Sequence, residues 1–130
     1  MNTELQERKK FSKRRFLNSF RNSFSGLHYA YRYEQSMTIH MISCIIVVTL
    51  GLLFKISEVE WAICVMLLGL IGATELINTS IEAVVDLVTQ EIHPLAKVAK
   101  DTASAAVFVF STIAFICFLI IFIPKMLVFG

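Results

Sequence analysis

The sequence predicts an all-α integral membrane protein in which an amphipathic N-terminal surface helix precedes three transmembrane helices. Of its 130 residues, 56% are apolar and only 17% are charged, and the mean hydropathy is +0.69. A water-soluble domain of this size does not carry that balance. Three long windows are nearly free of charged residues, and no ten-residue alternation repeats as a membrane β-barrel would require. Helices are therefore the expected spans.

The first predicted element is a cytoplasmic interfacial helix within residues 1–34. At 100° per residue its apolar side chains fall within about 80° of one another, namely Phe16, Phe20, Phe24, Leu27 and Tyr31. The same segment holds eight Lys and Arg against three Glu. Such a basic amphipathic helix is typical of a segment lying on anionic lipid headgroups, so a membrane is expected as its partner and nucleic acid is not. A soluble helix that packs on a neighbour is the alternative.

The three transmembrane helices are expected at 36–54, 61–88 and 102–123, because each of these stretches approaches or reaches the length that crosses the hydrocarbon core. The connection at 55–60 is short, and the one at 89–101 is polar. Most Lys and Arg precede the first span or lie between the second and the third. The N-terminus is therefore predicted to be cytoplasmic.

Two features inside the spans concern packing. Gly69, Gly72 and Ala73 are small residues close together on the second span, and they predict close helix contact. His40 lies in the first span, where the sequence leaves open a lipid contact or a bond between helices. The three cysteines lack CxxC spacing and suitable His neighbours, so we expect them to be small apolar residues of the spans.

A polar stripe runs along the second span, where apolar residues would be expected. Glu75, Asn78, Glu82 and Asp86 stand at offsets 0, 3, 7 and 11, which places them within about 80° on one helix face. Measured from Trp61 at 1.5 Å per residue, Glu75 lies about 21 Å along the helix and Glu82 about 31 Å. The stripe thus extends from inside the lipid to the cytoplasmic water. Ionisable residues at such depth usually mark a functional site.

Other polar residues are expected at the same membrane level, at the ends of the neighbouring spans. They are Glu34, Lys100, Asp101 and Ser104. Carboxylates beside lysines at a lipid boundary suit Mg²⁺ and phosphate groups, which are the components of phosphoryl transfer to an amphiphilic alcohol. GxxxxGK[ST], GxGxxG, HExxH and GxSxG are all missing from the sequence, which excludes the soluble kinase folds.

Two motifs carry a resemblance to a known family. Residues 75–86 read ELINTSIEAVVD, and residues 100–107 read KDTASAAV. The pattern ExxNxxxExxxD followed at this spacing by KDxxSAAV closely resembles the prokaryotic diacylglycerol kinase family, which includes the undecaprenol kinases. Gly26, Leu27 and Glu34 match the end of the family's surface helix. The resemblance covers most of the chain and implies one membrane kinase domain, residues 1–130, in a bacterial inner membrane.

The resemblance also implies a homotrimer with active sites shared between subunits, and it implies roles for single residues. Glu75 matches the catalytic base that deprotonates the lipid hydroxyl, and Glu34 and Glu82 match carboxylates that bind metal and ATP. The other implied nucleotide-site residues are Arg15, Asn78, Asp86, Glu91, His93, Lys100 and Asp101, and Ser104 matches a position near the lipid substrate. The implied co-substrate is ATP, and the implied cofactor is Mg²⁺. Simpler roles stay open for three of these residues: a bond between helices for Asn78, a solvated loop residue for Asp86 and a turn cap for His93.

The acceptor is expected to be a membrane lipid alcohol. The basic extension at residues 8–15, the tyrosines of the surface helix and Trp61 resemble the Gram-positive-type members, for which undecaprenol is the usual acceptor, and diacylglycerol is the alternative. A cation channel or transporter would also explain a stripe of carboxylates, but not Lys100 and Asp101 at its end. A non-catalytic membrane scaffold is less favoured, because unpaired buried carboxylates destabilise a protein.

Overall fold

The computed structural model describes residues 11–129, and all regular structure in that part of the chain is helical. The helices are α1 (Lys13–Tyr33), α2 (Gln35–Leu53), α3 (Glu58–Val88) and α4 (Pro94–Phe129). The first ten residues of the predicted surface helix lie outside the described residues. The chain divides into one unit that ends at Tyr33 and contains α1, and a second unit that begins at Glu34 and contains the other three helices.

Helices α2, α3 and α4 are each long and apolar enough to cross a membrane. In their most apolar windows only 11%, 17% and 11% of the residues are buried within the chain. Apolar surface of this extent is unfavourable in water and favourable in lipid. The prediction of an all-helical membrane protein with three spans is thereby confirmed.

Two of these helices extend beyond the predicted membrane spans. Helix α3 begins at Glu58 rather than at residue 61, and α4 begins at Pro94 and continues to Phe129 rather than covering only 102–123. Proline is favoured in the first turn of a helix, because its missing N–H has no partner there in any case. Apolar windows mark the part of a helix that lies in lipid, and polar residues can continue the same helix into water.

A tight corner joins α2 to α3. Lys55 has a left-handed backbone (φ 50°), and the N–H of Ile56 donates to the carbonyl of Gly51 (3.2 Å), which is the Schellman pattern of a helix C-terminus. Ser57 then begins α3 with a capping box: its hydroxyl accepts from the N–H of Glu60, and the Glu60 carboxylate accepts from the N–H of Ser57. The corner therefore pairs several of its backbone N–H groups within itself.

Ion pairs join the antiparallel helices α3 and α4 near both ends. Lys125 pairs with Glu60 (3.2 Å) close to the corner, and Lys100 pairs with Asp86 (2.6 Å) at the other end. Glu60 and Asp86 are 26 residues apart, which corresponds to about 39 Å of helix. This length exceeds a hydrocarbon core of about 30 Å, so both pairs can lie outside the lipid tails.

The buried apolar cluster lies at the corner end of the second unit. Its buried members are Ile56, Cys64, Ile121 and Phe122. Trp61 packs on Gly51, where a Cβ would lie 2.6 Å from the indole ring. The polar residues of interest lie toward the opposite ends of the helices, away from this cluster.

His40 forms a bond between helices, which answers the question that the sequence left open. Its Nε2 donates to the carbonyl of Leu68 on α3 at 2.8 Å. A Cβ on Gly72 would lie 3.0 Å from the His40 ring, whereas a Cβ on Gly69 would meet no atom within 4 Å in the described chain. Within one chain, Gly72 thus permits close approach of α2 and α3 at His40, as Gly51 does near the corner.

Candidate functional site

A cleft of about 510 Å³ lies at the N-terminal end of α2, against α3 and α4. We call it the acidic cleft. Its lining includes five of the predicted site residues, Glu34, Glu75, Asn78, Glu82 and Ser104. Three of them come from the polar stripe on α3, and the other two come from the start of α2 and from α4. The structure therefore brings together residues that are up to 70 positions apart in the sequence.

Glu34 reaches the acidic cleft from the junction before α2. It is the N-cap residue of α2, with an extended backbone (φ −98°, ψ 119°), and its side chain makes no capping hydrogen bond. A capping carboxylate would normally accept from the N–H groups of the first helical turn. The Glu34 carboxylate is instead available to face the cleft.

Glu75 is the one charged residue that is buried in the described part of the chain, with 8% of its surface exposed. Its carboxylate forms no hydrogen bond or ion pair with any residue between 11 and 129. An ionised carboxylate is costly to bury without a partner. Such a group in a cleft is a candidate for chemistry, and here it can accept a proton.

Asn78 and Glu82 supply further oxygen atoms to the acidic cleft. The Asn78 amide donates weakly to Glu82 (Nδ2 to Oε1, 3.4 Å), while the Asn78 Oδ1 is buried without a hydrogen-bond partner. Within residues 11–129, no three His, Cys, Asp or Glu side chains lie close enough to hold a metal ion by themselves. Mg²⁺ commonly needs only one or two carboxylates when phosphates supply the other oxygens. The carboxylates and the orphan amide oxygen therefore fit a cation that binds together with a nucleotide.

A second cleft, of about 300 Å³, lies at the connection between α3 and α4. We call it the charged cleft. Its lining includes the remaining predicted site residues of this unit, which are Asp86, Glu91, His93, Lys100 and Asp101, and it adds Lys97. Lys97 pairs with Asp101 on α4, and Lys100 pairs with Asp86 across the two helices. Two ammonium groups and three carboxylates thus line one small space, and a polyanion can take the place of the two carboxylates that pair with the ammonium groups.

His93 and Glu91 are held by local bonds in the same connection. The His93 Nδ1 accepts from the N–H of Leu95 (3.1 Å), which is the geometry of an N-cap for α4, and the N–H of Glu91 donates to the Thr89 hydroxyl (3.1 Å). The turn-capping role left open for His93 is therefore present. Its Nε2 is not used by that cap.

A third cleft, of about 450 Å³, lies between α2, α3 and α4. We call it the apolar cleft. Most of its lining is aliphatic or aromatic, and it shares Ser36, Glu75 and Ser111 with the acidic cleft. Glu75 therefore stands where a polar space meets an apolar one, which suits an amphiphile whose head is polar and whose tail is not. Sequence reasoning missed Ser36 and Ser111; their only signal was a hydroxyl in an apolar stretch.

Arg15 is the one predicted site residue outside these clefts. It lies on α1, in the unit that ends at Tyr33. Its role at a nucleotide therefore stays a prediction.

Comparisons with known proteins agree with this arrangement. The sequence model of prokaryotic diacylglycerol kinases matches residues 21–122. The chain is 42% identical to an undecaprenol kinase of Bacillus subtilis over 112 residues, which cover 86% of this chain and 91% of that protein. It is 38% identical to a diacylglycerol kinase of Pseudomonas aeruginosa, with coverage of 77% and 81%. A diacylglycerol kinase of Synechocystis is also 38% identical, but the match covers 68% of this chain and 51% of that longer protein.

The family match covers α2 and α3 in full and α4 as far as residue 122, and it includes every residue that lines the three clefts. Relatives of this length and identity share their fold and their type of reaction, so the channel and the scaffold can be set aside. The chain belongs to the prokaryotic diacylglycerol kinase family, and it is a membrane lipid kinase that uses ATP as its co-substrate.

Proposed function

We propose that this protein transfers the γ-phosphoryl group of ATP to undecaprenol and so makes undecaprenyl phosphate. The observation that carries the proposal is the position of Glu75, the buried unpaired carboxylate at which the acidic and apolar clefts meet. A lipid alcohol whose tail occupies the apolar cleft presents its hydroxyl to this carboxylate. The relative from Bacillus subtilis, named an undecaprenol kinase, supports the choice of acceptor.

Glu75 acts as the general base. Its carboxylate accepts the hydroxyl proton while the lipid oxygen attacks the γ-phosphorus, and the bond from that phosphorus to the β-phosphate oxygen breaks on the opposite side. The products are the lipid phosphate and ADP. Ser104, on the wall of the acidic cleft, lies near the acceptor hydroxyl.

Glu34 and Glu82 hold Mg²⁺ in the acidic cleft, and Asn78 supports them. When bound with ATP, Mg²⁺ neutralises phosphate charge during the transfer. The two carboxylates come from different segments of the chain, the N-terminal end of α2 and the C-terminal half of α3. Their convergence on one cleft supports this assignment.

The charged cleft receives the nucleotide. Lys100 contacts the phosphates and offsets their charge, and Asp86 is its partner before ATP arrives. Asp101, Glu91 and His93 line the same cleft and complete the nucleotide site. Arg15, on α1, is assigned to the nucleotide as a further basic residue on the basis of the family resemblance alone. Binding of ATP thus exchanges an ion pair within the protein for ion pairs with phosphate.

The chain works as a single kinase domain, residues 1–130, in a homotrimer whose active sites are shared between subunits. The large exposed apolar surfaces of α2, α3 and α4 leave room both for lipid and for neighbouring copies. Helix α1 lies as an amphipathic helix on the cytoplasmic face of the bacterial plasma membrane, and α2, α3 and α4 cross the membrane with the N-terminus inside. The excess of basic residues before α2 supports this orientation.

Diacylglycerol is the second candidate acceptor, supported by the relatives from Pseudomonas aeruginosa and Synechocystis. Incubating the purified protein with labelled ATP, Mg²⁺ and a panel of lipid alcohols, and then separating the lipid products, distinguishes the two. We expect faster turnover with undecaprenol than with diacylglycerol at equal mole fraction in micelles. Faster turnover with diacylglycerol would overturn the choice of acceptor, and no labelled lipid from any alcohol would overturn the assignment of the site.

A further inference from the structure

A cross-helix hydrogen bond lies beside the site that we propose. The His40 Nε2 donates to the carbonyl of Leu68 at 2.8 Å, and both residues line the apolar cleft together with Glu75. Leu68 lies seven residues before Glu75, which places both on nearly the same face of α3, two turns apart. The bond therefore attaches α2 to the face of α3 that carries the candidate base.

Gly72 makes this contact close. A Cβ at position 72 would lie 3.0 Å from Cε1 and 3.3 Å from Nε2 of the His40 ring, so the ring lies directly on the backbone of α3. Gly72 is buried and lies one turn before Glu75. The helix therefore has little room to shift toward α2 near the base, and the hydrogen bond opposes a shift away from it.

The same contact bears on the position of Glu34. Glu34 is the N-cap of α2, six residues before His40, so a movement of α2 at His40 is transmitted to Glu34 through less than two helical turns. Helix α2 also packs less extensively on α3 than α4 does. Few other contacts therefore set the separation between the carboxylates of Glu34 and Glu75 across the acidic cleft.

We propose that His40 is a positioning residue for phosphoryl transfer: its bond to the Leu68 carbonyl sets the spacing of α2 and α3 and so holds Glu34 opposite Glu75. This inference rests on the proposed function, because it concerns the geometry of that site. A displacement of about 1 Å in a catalytic group can cost about 100-fold in rate. His40 itself does not touch the reacting atoms.

The test compares His40→Leu with His40→Gln. Leucine fills space without a donor, whereas the glutamine amide can donate to the same carbonyl. We expect His40→Leu to lower kcat with the lipid alcohol about 10- to 100-fold at saturating Mg-ATP, and to raise the Mg²⁺ concentration that gives the half-maximal rate, because Glu34 is also a proposed Mg²⁺ ligand. We expect His40→Gln to recover most of kcat. Thr49→Val is the matched control, since it removes a hydroxyl of α2 that bonds only within its own helix, to Ile45 (2.7 Å).

Rates are compared per folded protein, measured by gel filtration and thermal melting in the same detergent. A purely structural role would lower the melting temperature of His40→Leu and leave kcat of the folded fraction unchanged, which would overturn the proposal. Equal losses in kcat for His40→Leu and His40→Gln would also overturn it, because the hydrogen bond would then not be the cause.

Gly72→Ala gives an independent test that keeps His40 in place. The added methyl displaces the ring, so we expect a loss of kcat similar to that of His40→Leu. Full kcat in this variant would contradict the proposal. The proposed function is tested separately, by the turnover of Glu75→Gln. Full turnover in that variant would contradict the proposed function. Unchanged kcat in the His40 variants would contradict only the positioning role of His40.

Discussion

Replacing Glu75 by glutamine should lower the rate of phosphoryl transfer without lowering the free energy of unfolding. Glutamine has the same length and shape but cannot accept the hydroxyl proton. General-base catalysis contributes about 10²- to 10⁴-fold to a rate, so we expect kcat for Glu75→Gln to fall by about that factor, or about 3–5 kcal/mol in the activation free energy. The loss should appear in kcat, since the nucleotide lysine is unchanged.

The free energy of unfolding should not fall in the same variant. Glu75 is 8% exposed and has no hydrogen-bond or ion-pair partner among residues 11–129, so the substitution breaks no contact within the described chain. It also removes a charge that is costly to bury. We therefore expect the melting temperature to stay the same or to rise.

The assay is initial-rate transfer of labelled phosphate to undecaprenol in detergent micelles at saturating Mg-ATP, with thermal melting of the same preparation. Glu58→Gln is the control, because it makes the same change on the same helix at an exposed position near the corner. It should keep its turnover. If Glu75→Gln turned over within a few-fold of the parent, Glu75 would not be the base.

Three further predictions concern other parts of the second unit. Lys100→Met should raise KM for ATP about 10- to 100-fold in initial-rate measurements, because a charge-assisted bond to phosphate is lost. The melting temperature should change little, because the ion pair between Lys100 and Asp86 is exposed. An unchanged KM would contradict the assignment of Lys100 to the nucleotide. Lys55→Gly should stabilise the protein by about 1 kcal/mol in chemical unfolding, because its left-handed backbone favours glycine; a loss of stability would contradict this reading. Ser57→Ala should destabilise it by about 1 kcal/mol, measured in the same way, because the N–H of Glu60 loses its capping acceptor; an unchanged midpoint would argue against the capping box.

The number of spans and the face that bears the polar stripe could both be predicted from sequence, because each depends on local spacing. Windows without charged residues predict membrane-spanning helices, and the spacing of the polar residues from Glu75 to Asp86 predicts a shared helix face whatever the tertiary fold. The convergence of Glu34 on that stripe was expected only from membrane level and family resemblance. The packing of α2 on α3 in the structure was needed to place Glu34 in the same cleft as the polar stripe.

The remaining features depend on contacts that one-dimensional patterns do not contain. Nothing in the spacing of residues pairs His40 with the carbonyl of Leu68, because that bond requires the approach that Gly72 permits. Apolar windows predict only the part of α4 that lies in lipid, so the start of the helix at Pro94 came from the structure. The capping box at Ser57, by contrast, had a readable S-x-x-E signature in the sequence.

The corner between α2 and α3 has a consequence for how the protein enters its bilayer. Since the turn at Lys55 and the cap at Ser57 pair several backbone groups within the corner, fewer unpaired groups meet the hydrocarbon if the two helices insert together as one hairpin. The tip of that hairpin carries three charged side chains, Lys55, Glu58 and Glu60. The contact between His40 and Leu68 involves only α2 and α3, so it can form in the hairpin before α4 packs on it.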